Sequence, residues 1–354
     1  MSSLDKTPGS KSPLSVQVIV LGLGAWAILA FLFFALFSIT PEGEARPLWY
    51  SIGTSIFEAT AFLVATLLCF RNWGSSQIVS GRSVWLNIGL GMLFYFLGNL
   101  LFSYWELVLG LEPAVSPGDF FFILTYIFLL VGMVQAVFSR RLNLELWQKA
   151  VVFAIAVIGI ALATFLATNK PADTTAQPWG MAPAYAQTQT APRPKPPAAA
   201  PSPAAVPGPP AAPSPVASPS PAVSPSPAAA PKPASDRPQP PEWALNLEQQ
   251  LQPLESPITL FYLVCDVLLL VLATTLLLAF WGGRFAQSWR MIAIAAFFLY
   301  IGDIWFKYAT RDPNYQSGSL PEVAWVFSAV FFGIGAALEY DLSMRSRRTS
   351  SRRR

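Results

Sequence analysis

Glu58, Glu106, Asp266, Asp303 and Lys307 all fall inside or at the ends of long apolar runs, with Asn99 as a polar neighbour. An ionisable side chain in a membrane-length apolar run is costly. It marks a ligand, proton or cation site, or a polar contact that joins helices. Asn99, Ser103 and Glu106 stand at i, i+4 and i+7, so they share one helical face. Asp303, Lys307 and Thr310 repeat that spacing. Four acids against one lysine cannot all be ionised in a low-dielectric site. Some carry protons, or a cation supplies the missing charge. The candidate pocket residues are Glu58, Asn99, Tyr104, Glu106, Asp266, Asp303, Lys307 and Tyr308. The competing reading is that these groups only fix helix packing, with Glu106 and Lys307 snorkelling to the interface.

Other chemistries find no residues. The chain has no histidine, which excludes His-ligated metal and Ser-His-Asp catalysis. Its two cysteines, Cys69 and Cys265, make no metal spacing and read as small apolar residues. No catalytic residue, metal site or cofactor is implied. Asp303 and Lys307 have the Asp-x-x-x-Lys spacing of the retinal-binding helix in microbial rhodopsins. Ser103 stands at the related position in the first half, however, and the rest of that pattern is missing.

The elements that must carry these residues follow from composition. Of 354 residues, 53% are hydrophobic and 12% charged, and mean hydropathy is +0.46. A soluble domain carries about 25% charge. The net charge of +4 comes without a basic folded face, so nucleic acid is not an expected partner. Eight runs are long enough to span a bilayer: roughly 16–39, 50–70, 85–109, 117–138, 148–168, 257–281, 288–309 and 320–340. The cations Lys6, Lys11, Arg71, Arg82, Arg140, Arg141, Lys149, Arg284 and Arg290 then fall on one side. The acids Glu42, Glu44, Glu112, Asp119, Asp312 and Glu322 fall on the other. The positive-inside rule puts residues 1–15 and the basic tail 341–354 in the cytoplasm. The six arginines of RSRRTSSRRR are expected on anionic lipid.

Two features organise the chain. Residues 169–256 hold most of the 25 prolines found between Pro171 and Pro257. This Pro/Ala/Ser-rich stretch is expected to be a disordered linker outside the cytoplasm. Within it Trp243, Leu247, Leu251 and Leu254 follow a helical stripe. The flanking parts also repeat. A shift of 208 places Glu58 on Asp266, Ala65 on Ala273, Trp73 on Trp281 and Gly74 on Gly282. A shift of 204 places Gly98 on Gly302, Asn99 on Asp303, Phe102 on Phe306, Tyr104 on Tyr308 and Pro117 on Pro321. The expected fold is an all-α polytopic membrane protein, a 4+4 parallel duplication of eight transmembrane helices. Residues 16–168 carry the first four-helix half. The helix at 148–168 pairs with the three-helix stretch 257–340 to make the second.

The segment FLGNLLFSYWELVLGLEPAVSPGDFFFILTYIFLLVGM, residues 96–133, resembles the multi-span membrane input domain found ahead of GGDEF and EAL domains in bacterial cyclic-di-GMP enzymes. Gly98, Asn99, Phe102, Tyr104, Glu106, Pro113, Ser116 and Asp119 carry the likeness. Gly302, Asp303, Phe306, Tyr308 and Pro321 repeat it more weakly. The resemblance implies a sensory or regulatory module in the bacterial inner membrane. About 14 residues follow the last span, so output is expected to pass through an unidentified protein partner. The expected function is a non-enzymatic sensor or scaffold with a polar pocket in the outer half of the bilayer. The alternative is a small proton- or cation-coupled transporter.

The charge bias makes a direct prediction. A cysteine introduced into the 169–256 linker should react with an impermeant maleimide added outside intact cells. Labelling only from the cytoplasmic side would invert the topology.

Overall fold

The computed structural model describes residues 15–41, 45–111, 115–138, 145–168, 240–279, 286–312 and 315–351. These residues are all helical or connecting, with no strand. The helices are α1 (Val16–Phe37), α2 (Leu48–Gly74), α3 (Arg82–Leu107), α4 (Asp119–Phe138), α5 (Leu146–Thr168), α6 (Glu242–Leu251), α7 (Glu255–Ala279), α8 (Ala286–Ala309) and α9 (Val323–Ser351). Lipid offers the backbone no hydrogen bonds, so apolar runs of this length satisfy themselves as helices.

Seven stretches are long and apolar enough to cross a membrane: α1, α2, α3, α4, the run Glu242–Ala279, Gln287–Ala309 and Leu320–Arg345. The chain is a multi-pass membrane protein. The eighth expected span, 148–168, lies in α5, whose apolar stretch among the described residues, Leu146–Leu162, is shorter than the others. α5 packs on α7 and α8, and Tyr300 donates its hydroxyl proton to the Gly159 carbonyl at 2.7 Å. The outer faces of α1 and α5 stay uncovered, with Leu21, Leu36, Phe153 and Ile158 all exposed. That apolar surface is what a bilayer covers.

The last part of the expected linker is helix. α6 is followed by one 3₁₀ turn, Gln252–Leu254, which leads into α7. Ala244 is fully buried against Trp105, Leu109 and Leu111 at the end of α3, and Trp243 meets Trp105 edge-on at 5.6 Å. The helical stripe therefore has a protein surface to cover. The rest of the linker lies outside the described residues, as do Arg140, Arg141, Pro113 and the Trp281 and Gly282 of the repeat.

Packing follows one scheme in both parts. α2 lies on α3 and α3 on α4, while α7 lies on α8 and α8 on α9; the crossing contacts are α1 and α2 with α9 and α4 with α7. A Cβ at Gly98 would fall 2.8 Å from the Phe122 ring, and one at Gly302 would fall 2.5 Å from Trp325 Nε1. A Cβ at Gly132 would meet Ile88 Cγ1 at 3.1 Å, and one at Gly335 would meet Ile292 Cδ1 at 2.8 Å. Two starts share a cap. Ser116 donates its backbone N–H to Asp119 Oδ2 at 2.7 Å, and Ser319 donates its own to Glu322 Oε1 at 2.9 Å.

Connections knit the bundle at each end. The Arg46 guanidinium donates to the carbonyls of Ser38, Gln316 and Ser317, and the Tyr50 hydroxyl donates to the Gly318 carbonyl at 2.7 Å. Gly318 has φ +97, which favours glycine there. At the opposite end Ser80 donates its hydroxyl to buried Glu339 at 2.7 Å, and Trp85 Nε1 donates to the Ser80 oxygen at 2.7 Å. Asn72 donates to the Ala336 carbonyl at 2.9 Å, and Arg71 lies over the Tyr340 ring at 4.2 Å. Cys69 and Cys265 are both buried and free.

The glycine contacts set a stability prediction. Gly302→Val should lower the thermal midpoint of the detergent-purified protein, since overpacking costs about 1–3 kcal/mol. Gly22→Ala has nothing within 4 Å of the new Cβ and should leave the midpoint almost unchanged. Equal midpoints for the two variants would refute the close α8–α9 approach.

Candidate functional site

Seven helices, α1, α2, α3, α4, α7, α8 and α9, line a cavity of about 130 Å³. It lies toward the end of the bundle that carries the Arg46 and Gly318 contacts. Glu58, Asn99, Glu106, Asp303 and Lys307 line it. Five of the eight residues picked from sequence thus meet in one place.

The sixth, Asp266, is not on the wall. It is 2% exposed and sits behind Tyr126. The Tyr126 oxygen is hydrogen-bonded to Asp266 Oδ1 at 2.5 Å and also to Asp303 Oδ2. A phenol has one proton to donate. Tyr126 therefore donates to one carboxylate and accepts from the other, which must carry a proton of its own. Trp325 Nε1 donates to Asp303 Oδ1 at 2.8 Å. One tyrosine of α4 thus joins acids on α7 and α8, and α9 closes the chain of bonds.

The expectation that Glu58 and Asp266 share a pocket wall therefore needs correction. Glu58 lines the cavity beside Tyr95 and Asn99. Asp266 communicates with it only through Tyr126 and Asp303. Tyr104 and Tyr308 also stand off the wall, and Tyr104 is 46% exposed. Each lies five residues after the polar residue it was grouped with, Asn99 or Asp303. Five residues at 3.6 per turn rotate a side chain about 140° away.

Several residues that matter here were not singled out. Tyr95, Tyr126, Tyr262 and Trp325 supply most of the donors. Tyr262 donates its hydroxyl to Asp119 Oδ1 at 2.6 Å, and Lys307 Nζ lies 4.5 Å from the Tyr262 ring centroid. A signal existed. Tyr95 precedes Asn99 by four residues, Tyr262 precedes Asp266 by four, and Tyr126 follows Asp119 by seven, so each shares a face with a polar partner. Glu322 accepts from Ser319 N, Ser319 Oγ, Gly318 N and Tyr315 Oη. Burial and the adjacent Glu322 push the Tyr315 phenol well above its ordinary range, so it remains a donor.

Two acceptor atoms stay unsatisfied. Asn99 Oδ1 and Asp266 Oδ2 are buried with no hydrogen-bond partner, and Asn99 is 7% exposed. Among the described residues no three His, Cys, Asp or Glu side chains gather as a metal site. Comparison with family models, curated proteins and solved structures finds no match to this chain.

The Tyr126 bridge carries a testable energy. Tyr126→Phe removes the shared hydroxyl and leaves two buried carboxyl groups facing each other. It should destabilise the protein by about 1–3 kcal/mol, read as a lower thermal midpoint in detergent. An unchanged midpoint would mean the bridge contributes nothing.

Proposed function

We propose that the chain is a non-enzymatic membrane sensory module that holds a small ligand in this cavity and acts through a partner protein. The observation that carries the reading is the cavity's construction. Its wall is drawn from seven helices on both sides of the linker. A ligand there bears on how the two sides pack. The likeness of residues 96–133 to the bacterial membrane input domain points the same way, and with it comes the bacterial inner membrane as the location. The Lys/Arg asymmetry supports cytoplasmic termini and a pocket in the outer half of the bilayer.

The 4+4 duplication belongs to the same proposal. Its support is a set of contacts that recur near one register. Gly98 with Phe122 matches Gly302 with Trp325, and Gly132 with Ile88 matches Gly335 with Ile292. Trp85 meets Trp289 at 6.4 Å and Phe102 meets Phe306 at 6.1 Å. Each is a residue touching its own counterpart 204 positions on, as residues do beside a two-fold axis.

A proton- or cation-coupled transporter is the second reading. The proton-sharing pair Asp266 and Asp303 favours it. The unbroken α2, α3, α7 and α8 disfavour it, because transporter sites are typically built on interrupted helices. Reconstituted vesicles decide between the two. The sensory reading expects no cation flux above empty vesicles under an imposed pH gradient. Flux that Asp303→Asn abolishes would overturn it in favour of a transporter.

A further inference from the structure

We propose that the cavity binds a small organic cation with an ammonium head, and that Lys307 is the chain's own occupant of the place that head would take. The inference rests on reading the cavity as a ligand site.

The wall is rich in acceptors and short of free donors. Glu58 and Asp303 present carboxyl oxygens. Asn99 Oδ1 is buried without a hydrogen-bond partner, and Asn99 is among the residues that line the cavity. The donors Tyr126, Tyr262 and Trp325 are already committed to acids. A buried acceptor without a donor costs about 1–3 kcal/mol. An incoming N–H group repairs that loss; another acceptor does not.

Lys307 indicates the ligand's charge. Its ammonium lies over the Tyr262 ring at 4.5 Å, within reach of a cation–π attraction. Asp303, Asp266, Asp119 and Glu255 lie close enough to attract it, and the ring face completes its setting. A cation so held is exchangeable for one that also reaches Asn99 and Glu58.

Size and geometry narrow the class. About 130 Å³ holds about four waters at their liquid volume, or one ligand of a few non-hydrogen atoms. A bare divalent ion asks for six or more convergent oxygens. Here the acids are separately held by phenols and an indole, and the rings of Phe102, Phe122 and Phe306 line the remaining space. An alkylammonium uses both the oxygens and the rings.

The probe is n-butylammonium chloride, added to the full chain purified in detergent, with thermal midpoint as the readout. n-Butanol and sodium chloride at equal concentration are the controls. Butylammonium should raise the midpoint saturably, and the controls should not. Lys307→Ala removes a tethered competitor whose effective concentration is in the millimolar range, so half-saturation should fall about tenfold. Asn99→Leu removes one acceptor of a charge-assisted bond and should raise half-saturation about tenfold. If Lys307→Ala does not fold, Lys307→Met keeps the stem and removes the charge. A midpoint rise matched by sodium chloride or by butanol overturns the proposal, as does the absence of saturation. Unchanged or weaker binding in both Lys307 variants overturns the assignment of Lys307. Loss of binding here leaves the sensory role standing, whereas flux in the vesicle assay removes that role and leaves the site.

Discussion

One shared proton arrangement holds the bundle's middle together. Tyr126 stands between Asp266 and Asp303, and the three groups come from α4, α7 and α8. Two bare carboxylates at this separation would repel strongly, and burying them would cost several kcal/mol each. A phenol between two carboxyl groups, one of them protonated, turns that repulsion into two hydrogen bonds. Trp325 then adds an indole N–H from α9. The position of α4 against α7 and of α8 against α9 thus depends on groups that an apolar core would exclude. Remove the tyrosine hydroxyl and the acids lose the hydrogen-bonding bridge between them.

The scaffold and the pocket follow different symmetries. The glycine contacts and the aromatic pairs recur on both sides of the linker. The polar groups do not. On the proposed duplication Tyr126 corresponds to Val330, Lys307 to Ser103, and Asp303 to Asn99. On that proposal, close packing keeps small residues at fixed helical positions in both copies, while a site for one ligand takes a single lysine and a single bridging phenol. The proposed duplication is thus a two-fold frame around a one-sided cavity.

Sequence alone reached part of this. Glu58, Asn99 and Asp303 stand out because a polar residue in an apolar helix has few reasons to be there. Their helical faces follow from spacing. Tyr104 and Tyr308 were grouped with them through the repeat rather than through the face, and the helical rotation puts them elsewhere. Tyr126 and Tyr262 went unremarked because tyrosine in a span usually reads as an interface aromatic. Which acid a phenol reaches depends on how helices from distant parts of the chain pack, and periodicity does not encode that. The stripe of Trp243 and Leu247 predicts a helix, but its docking on Trp105 requires the end of α3 to be in place.

The two ends of the bundle are fastened by different chemistry. At one end the Arg46 guanidinium grips backbone carbonyls. At the other, Ser80 and the backbone around it grip the carboxylate of Glu339. The carbonyl bonds of the Arg46 guanidinium read only backbone, so they would survive a change of side chain at Ser38, Gln316 or Ser317. The second fastening hangs on one side chain, so a single substitution at Glu339 removes it outright.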